Sequence, residues 1–147
     1  MQLSNAGEYG VKAMLHLAFM ENRNCKIVEI SQAWGISDSF LRKILIRLSK
    51  AGLVTSSRGV SGGYILARFA DNITMLDIVE AIEGKIYLNK CLLELELCEN
   101  VSWCPIHRVW EKAQTAFTDS LNSTTLKDLV SEPEFRERLK NILNNKK

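Results

Sequence analysis

GISDSFLRKILIRLSKAGLVTSSRGVSGGYILAR, residues Gly35–Arg68, is the stretch on which the reading of this chain turns. Ser37-Asp38-Ser39 has helix N-cap chemistry, since a short side-chain oxygen can accept from the free amides of a first helical turn. The helix it opens runs to about Ala51, and Gly52 closes it. At about 100° per residue, Leu41, Ile44, Leu45 and Leu48 share one face. Ser39, Lys43, Arg47 and Lys50 share the other, with Arg42 on its flank. The first face has to pack in a core. The second is a cationic stripe with a serine near the helix N-terminus.

Just upstream, Val28 to Trp34 reads as a shorter helix that ends at Gly35. A short helix, a glycine turn and a second helix make a helix-turn-helix over residues 28–51. Downstream, Leu53–Ser57 and Tyr64–Leu66 read as two short strands joined by Arg58-Gly59-Val60-Ser61-Gly62-Gly63. After a helix-turn-helix, such a cationic glycine hairpin is a wing, spanning residues 53–66. Gly59 and Gly62 let backbone approach a groove, and Arg58 suits a narrow minor groove. A phosphate-binding loop fits poorly, because no Lys-Ser/Thr follows and no helix begins at the last glycine.

Charge distribution suggests a localised polyanion site, with a solvated basic face as the plain alternative for the charge block alone. Between Ser39 and Ala70 lie six of the 19 basic residues and none of the 17 acidic ones. The rest of the chain holds the other 13 basic residues against all 17 acidic ones, a net −4. A basic block on an otherwise acidic chain localises the site. In a helix-turn-helix, Ser39, Arg42 and Lys43 would meet base edges in the major groove. Arg47, Lys50 and Tyr64 would meet backbone phosphates.

The flanking segments complete one mostly helical domain. Leu3 to Met20 is a helix with Ser4 at its N-cap and Val11, Met14, Leu15, Ala18 and Phe19 on one face. Cys25, alone beyond it, reads as a small, partly buried residue. Thr74-Met75-Leu76-Asp77 is a capping box for a helix to about Glu83. Pro105 opens a helix to about Asn122, with Ile106, Val109, Trp110, Ala113, Ala116, Phe117 and Leu121 on one face. That apolar face, outside the winged core, is expected to form a dimer interface. A polar last helix opens at Glu132-Pro133, and Asn144–Lys147 is expected to fray. The expected divisions are thus 1–84 for the winged helix-turn-helix, 85–104 for a ligand loop, 105–130 for the dimerisation helix and following turn, and 131–147 for the end. The first 20 residues lack the pattern of a secretory signal, and no segment approaches a membrane span, so a cytoplasmic location is expected.

CLLELELCENVSWCPIH, residues 91–107, holds three of the four cysteines. Six residues separate Cys91 from Cys98, five separate Cys98 from Cys104, and two separate Cys104 from His107. In a cytoplasmic chain such a cluster binds metal or does redox chemistry more often than it forms structural disulfides. The gaps are looser than the paired spacing of structural zinc. Iron–sulfur clusters tolerate them, and a thiol switch or inert cysteines also stay open. A thiol oxidoreductase would need a Cys-two residues-Cys motif, which is absent, so the chain is not expected to be an enzyme.

The start MQLSNAGEYGVKAMLHLA, the Gly35–Arg68 run, the TMLDIVEAIEG helix and the Cys91/Cys98/Cys104/His107 arrangement together resemble the IscR/NsrR-type family of iron–sulfur winged helix-turn-helix regulators. The resemblance covers residues 1 to about 130. It implies a mostly α fold with a small β-hairpin wing and a long dimerisation helix. It implies a homodimeric repressor on a two-fold DNA operator, with a cluster held by Cys91, Cys98 and Cys104. In one branch a histidine separated by two residues from the third cysteine completes the ligand set and matches His107, although the first gap there is five residues. In the other a carboxylate near the partner's N-terminus does so, and Glu8 holds that place. His107 and a 2Fe–2S cluster are favoured; 4Fe–4S is the alternative. Cluster-free members of the family imply a second reading, a repressor governed by thiol oxidation or by a protein partner.

Overall fold

The structure, a computed structural model, describes residues 2–21, 23–93 and 98–145. Helix α1 (Asn5–Phe19) starts where Ser4 accepts from the Gly7 amide, and it buries Ala13, Met14 and Leu17. Helix α2 (Ile27–Trp34) stops at Gly35, whose φ of 67° is the left-handed conformation that ends helices. Helix α3 (Asp38–Lys50) follows, with Ser37 at its N-cap position in extended backbone. The Ser37 hydroxyl makes no capping bond, so that expected contact is absent. Leu41, Ile44, Leu45 and Leu48 are all buried, as their spacing requires.

Strands β1 (Val54–Ser57) and β2 (Gly63–Leu66) pair antiparallel, with Val54 opposite Leu66 and Ser57 opposite Gly63. The hairpin has a third partner that periodicity did not reveal. Cys25 N donates to Tyr64 O at 2.9 Å, and Tyr64 N donates to Cys25 O at 2.8 Å. Cys25 is therefore fully buried rather than partly buried, and burial pushes its thiol up to about 11. The close pairing also explains Gly63, because a Cβ there would lie 2.6 Å from Cys25 O. Gly63→Ala should therefore cost about 1–3 kcal/mol, the usual range for overpacking. Urea unfolding measures it, and an unchanged midpoint would mean that the bridge adds no stability.

Helix α4 (Met75–Glu83) begins with the expected box: Thr74 caps the Asp77 amide and Asp77 returns to the Thr74 amide. A short α5 (Lys90–Leu93) lies in the ligand-loop segment, of which residues 94–97 fall outside the described residues. Helix α6 (Pro105–Asn122) has the expected bounds, and its 18 residues span about 27 Å. Helix α7 (Leu126–Ser131) carries a second capping box, Thr125 with Asp128. The sequence groups α7 with the long helix, but it returns to the winged core. Leu126 and Val130 join the same buried cluster as Leu41 and Ile44, and Leu126 N donates to Ile73 O at 2.7 Å. Helix α8 (Pro133–Asn144) packs outside it, with Phe135 stacked on Trp34 and Arg136 over the Phe19 ring. Residues 146–147, where fraying is expected, lie outside the described residues.

Candidate functional site

The buried face of α3 fixes what its other face does. With four leucine and isoleucine side chains locked in the core, Ser39, Arg42, Lys43 and Lys50 stand exposed on the outside. Arg47 is also exposed, yet one of its guanidinium nitrogens, Nη1, donates to Ile82 O of α4 at 3.2 Å. Among the described residues, Arg42, Lys43, Lys50 and Arg58 pair with no carboxylate. The basic face is thus free to bind an external anion.

In the wing, Arg58 is exposed and Gly59 has φ 104°, a conformation that favours glycine. Gly62 is required for a different reason than groove approach. Its amide donates to Gly59 O at 3.0 Å, and a Cβ would lie 2.5 Å from Ser57 O, so it closes the hairpin. Val60 forms the tip and is 95% exposed. Tyr64 is half-buried against the core.

Of the sequence-expected ligands, Cys104 and His107 stand at the start of α6, Cys98 in the turn before it and Cys91 in α5. Cys91, Cys98 and Cys104 are free thiols, all partly buried. Cys98 opens a turn in which Val101 N donates to its carbonyl, and Asn100 O then accepts from Trp103 and Cys104. Cys104 occupies the N-cap of α6 with no side-chain capping bond. A thiolate there faces the positive end of the helix dipole. His107, on the first turn, is only 5% exposed. Its Nε2 lies 3.4 Å from Glu111, while its Nδ1 is buried with no hydrogen-bond partner. A buried imidazole nitrogen without a partner costs free energy unless something binds it. Glu8 is exposed on α1 and pairs with Lys12. Among the described residues, no group of three or more His, Cys, Asp or Glu side chains is gathered closely enough to hold a metal ion.

Two buried or bridging side chains were not marked by the sequence. His16 is fully buried in α1, with neither ring nitrogen partnered. The face expected from the sequence runs through Val11, Met14, Leu15, Ala18 and Phe19, whereas α1 buries Ala13, Met14, Leu17 and Ala18, and His16 falls among these. Gln114 on α6 grips the ligand-loop segment, donating to Ile86 O and accepting from Leu88 N, both at 2.9 Å. Nothing local in the sequence marks that contact.

A helix-turn-helix whose second helix presents an unpaired basic face, followed by a hairpin wing, defines a winged-helix DNA-binding protein. The comparisons narrow the class. Residues 3–132 match the model of Rrf2, described as an iron-dependent transcriptional regulator, and the chain belongs to the Rrf2 family. It is 36% identical over 135 residues to the HTH-type transcriptional regulator IscR of Erwinia tasmaniensis, covering 91% of this chain and 81% of the relative. It is 35% identical to that of Vibrio vulnificus strain YJ016, covering 93% and 82%. Among solved structures, CymR, the global cysteine regulator of B. subtilis, superposes with a TM-score of 0.75 at 33% identity, covering 89% of this chain and 97% of that one. T. potens IscR superposes with a TM-score of 0.71 at 34% identity, covering 90% and 88%. The protein is a DNA-binding transcriptional regulator and not an enzyme. No described helix is long and apolar enough to cross a membrane.

Proposed function

We propose that this regulator is a homodimeric repressor whose operator binding is gated by an iron–sulfur cluster held by Cys91, Cys98, Cys104 and His107. The observation that carries the sensing half is His107, a buried imidazole whose Nδ1 has no protein partner, three residues beyond a free thiol at a helix N-terminus. In kind, three thiols and an orphaned imidazole fit an iron–sulfur site. In position they are not gathered among the described residues, so binding has to assemble them, and that assembly is what couples the group to the fold. Bound there, the cluster would supply charge and ligation that change with redox state, nitric oxide or iron supply. The 2Fe–2S form is favoured over 4Fe–4S. Glu8 from the partner is the alternative fourth ligand and would first have to leave Lys12.

The chain's own residues divide the work. Ser39, Arg42 and Lys43 read base edges, while Lys50, Tyr64 and the free nitrogens of Arg47 hold phosphates. Arg58, Gly59 and Gly62 carry the wing into the neighbouring minor groove. One such domain reads too few base pairs for specificity, so two copies bind a two-fold site. The open apolar face of α6, where Ile106 and Val109 are 65% and 64% exposed, supplies the dimer contact. Ligation at the start of α6 then shifts the two recognition helices. Switching requires bound and free forms to differ by more than about 1.4 kcal/mol on the operator, which is tenfold.

A second reading follows from CymR, which superposes as well as IscR does and has also been solved in an oxidised form in Staphylococcus aureus. Here the same three thiols answer oxidation or a protein partner without iron. Anaerobic purification separates the two. Under the cluster reading the protein is coloured and holds iron and sulfide; Cys104→Ser abolishes the chromophore, and His107→Ala shifts it while Glu8→Ala does not. Colourless, iron-free protein would sink the cluster reading, and an unshifted His107→Ala spectrum would exclude His107 as ligand.

A further inference from the structure

The C-terminal end of α4 joins three helices at two residues. The last carbonyls of a helix have no partner within it. Gly84 N takes one of them, Glu80 O, and Arg47 of α3 takes another, Ile82 O, at 3.2 Å. The recognition helix is therefore tied by a side chain to the end of α4. At the next residue, the Glu83 carboxylate accepts from the amide and hydroxyl of Ser4, the residue that caps α1. Helices α1 and α4 approach so closely here that a Cβ on Gly7 would strike the Glu83 carboxylate, and one on Gly10 would lie 2.9 Å from Ile82 Cγ1. Helices α1 and α4 are thus in direct contact at this junction.

The chain that leaves this junction is held again almost at once. Four residues beyond Ile82, Gln114 of α6 takes Ile86 O and Leu88 N in a two-bond fork. Four residues span at most about 14 Å, and α6 also packs directly on α4, so the grip of α6 and the end of α4 lie within one packed unit. The ligand-loop segment runs on from this point to Cys104, where α6 begins. A shift of α6 or of the segment's start thus reaches Ile82, and through Arg47 reaches the helix that faces DNA.

We propose that Gln114 and Arg47 are positioning residues at the two ends of one mechanical link between α6 and the recognition helix. Arg47 serves as the tether of α3 to α4, in addition to any charge it offers a phosphate. The inference rests on the DNA-binding role of α3 and needs neither the cluster nor its ligand set.

A double-mutant cycle tests it, because each variant's private effect cancels and only the coupling remains. Gln114→Met keeps length, packing and helix preference while removing the fork. Arg47→Gln removes the tether. Fluorescence anisotropy on iron-free protein measures binding to a duplex that the wild type has selected from a random-sequence pool, with melts confirming that every variant folds. Gln114→Met is expected to weaken binding threefold or more in the wild-type background and by less than 1.5-fold beside Arg47→Gln. Lys50 lies on the same face without a bond to α4, so Gln114→Met with Lys50→Gln should multiply as independent changes. Independence in both pairs, or no effect of Gln114→Met alone, would overturn the link. Arg47→Lys keeps the charge, so wild-type affinity and an unaltered Gln114→Met effect in that background would assign Arg47 to phosphate binding only. Because the protein carries no iron in this assay, failure of the cluster reading leaves the outcome standing.

Discussion

Ile106→Glu combined with Val109→Glu should convert the protein to a monomer and weaken operator binding by at least 100-fold. Both side chains stand on α6 about two-thirds exposed, beside Trp103 at 66%. His107 is the one described residue of α6 that a single chain buries. Under the proposed dimer, these two exposed apolar side chains of the 18-residue helix form the contact. In a two-fold contact the same patch serves both copies, so each substitution enters twice and places carboxylates near carboxylates. Burying one unpaired carboxylate costs several kcal/mol, and four exceed what an interface of ordinary size holds in surplus. Operator affinity falls because each half-site is then bound alone, without the local concentration that a linked partner provides. Sedimentation velocity and operator titration check the two outcomes together. A variant that remains dimeric with unchanged affinity would place the interface elsewhere. The substituted positions are solvent-exposed in the single chain, so the monomer's own fold should survive.

Helix α6 was legible because it announces itself: Pro105 at the first turn, then apolar residues at three- and four-residue spacing. The helix-turn-helix was legible for the same reason, since Leu41, Ile44, Leu45 and Leu48 show the helical period within one segment. What stayed hidden depends on residues far apart in the chain. Cys25 joins the wing through a single residue pair with Tyr64, too short to leave a period. Ser4 and Glu83 meet across 79 positions, and Arg47 and Ile82 across 35. Nothing in the local pattern of α7 tells that Leu126 returns to the core, because six residues hold too few turns to fix a direction. The candidate metal site divides the same way. The donor types and their order are written in the sequence, whereas gathering them is a three-dimensional property that the described residues do not display.

His16 should make the fold acid-labile, and His16→Leu should remove that lability. The imidazole lies fully buried with both nitrogens unpartnered, and its surroundings decide its charge. Burial holds its pKa down from 6.5 to about 4, with Glu29 partly opposing that and Arg23 adding to it. Well above pH 6.5 the ring is neutral in folded and unfolded chains alike, so this residue gives no pH dependence there. Between 6.5 and about 4 the unfolded chain takes up a proton that the folded chain refuses. Stability therefore falls as pH falls through that window, by about 3 kcal/mol in all, and the fall levels off below the folded value. Carboxylates titrate in part of the same range, so the informative quantity is the difference between wild type and variant. Leucine fills a similar volume without a proton to bind or a polar atom to desolvate. His16→Leu should match or exceed wild-type stability at pH 7.5 and gain on it steadily down to pH 4. Chemical unfolding at half-unit pH steps gives the difference curve directly. Parallel curves would mean that His16 is protonated in the fold as readily as outside it, and that a partner for its ring nitrogens has been missed. A buried, neutral His16 also separates this residue from His107. One imidazole is enclosed in the winged core and sets acid stability. The other lies on the first turn of α6, outside that core cluster, with its Nδ1 buried and unpartnered.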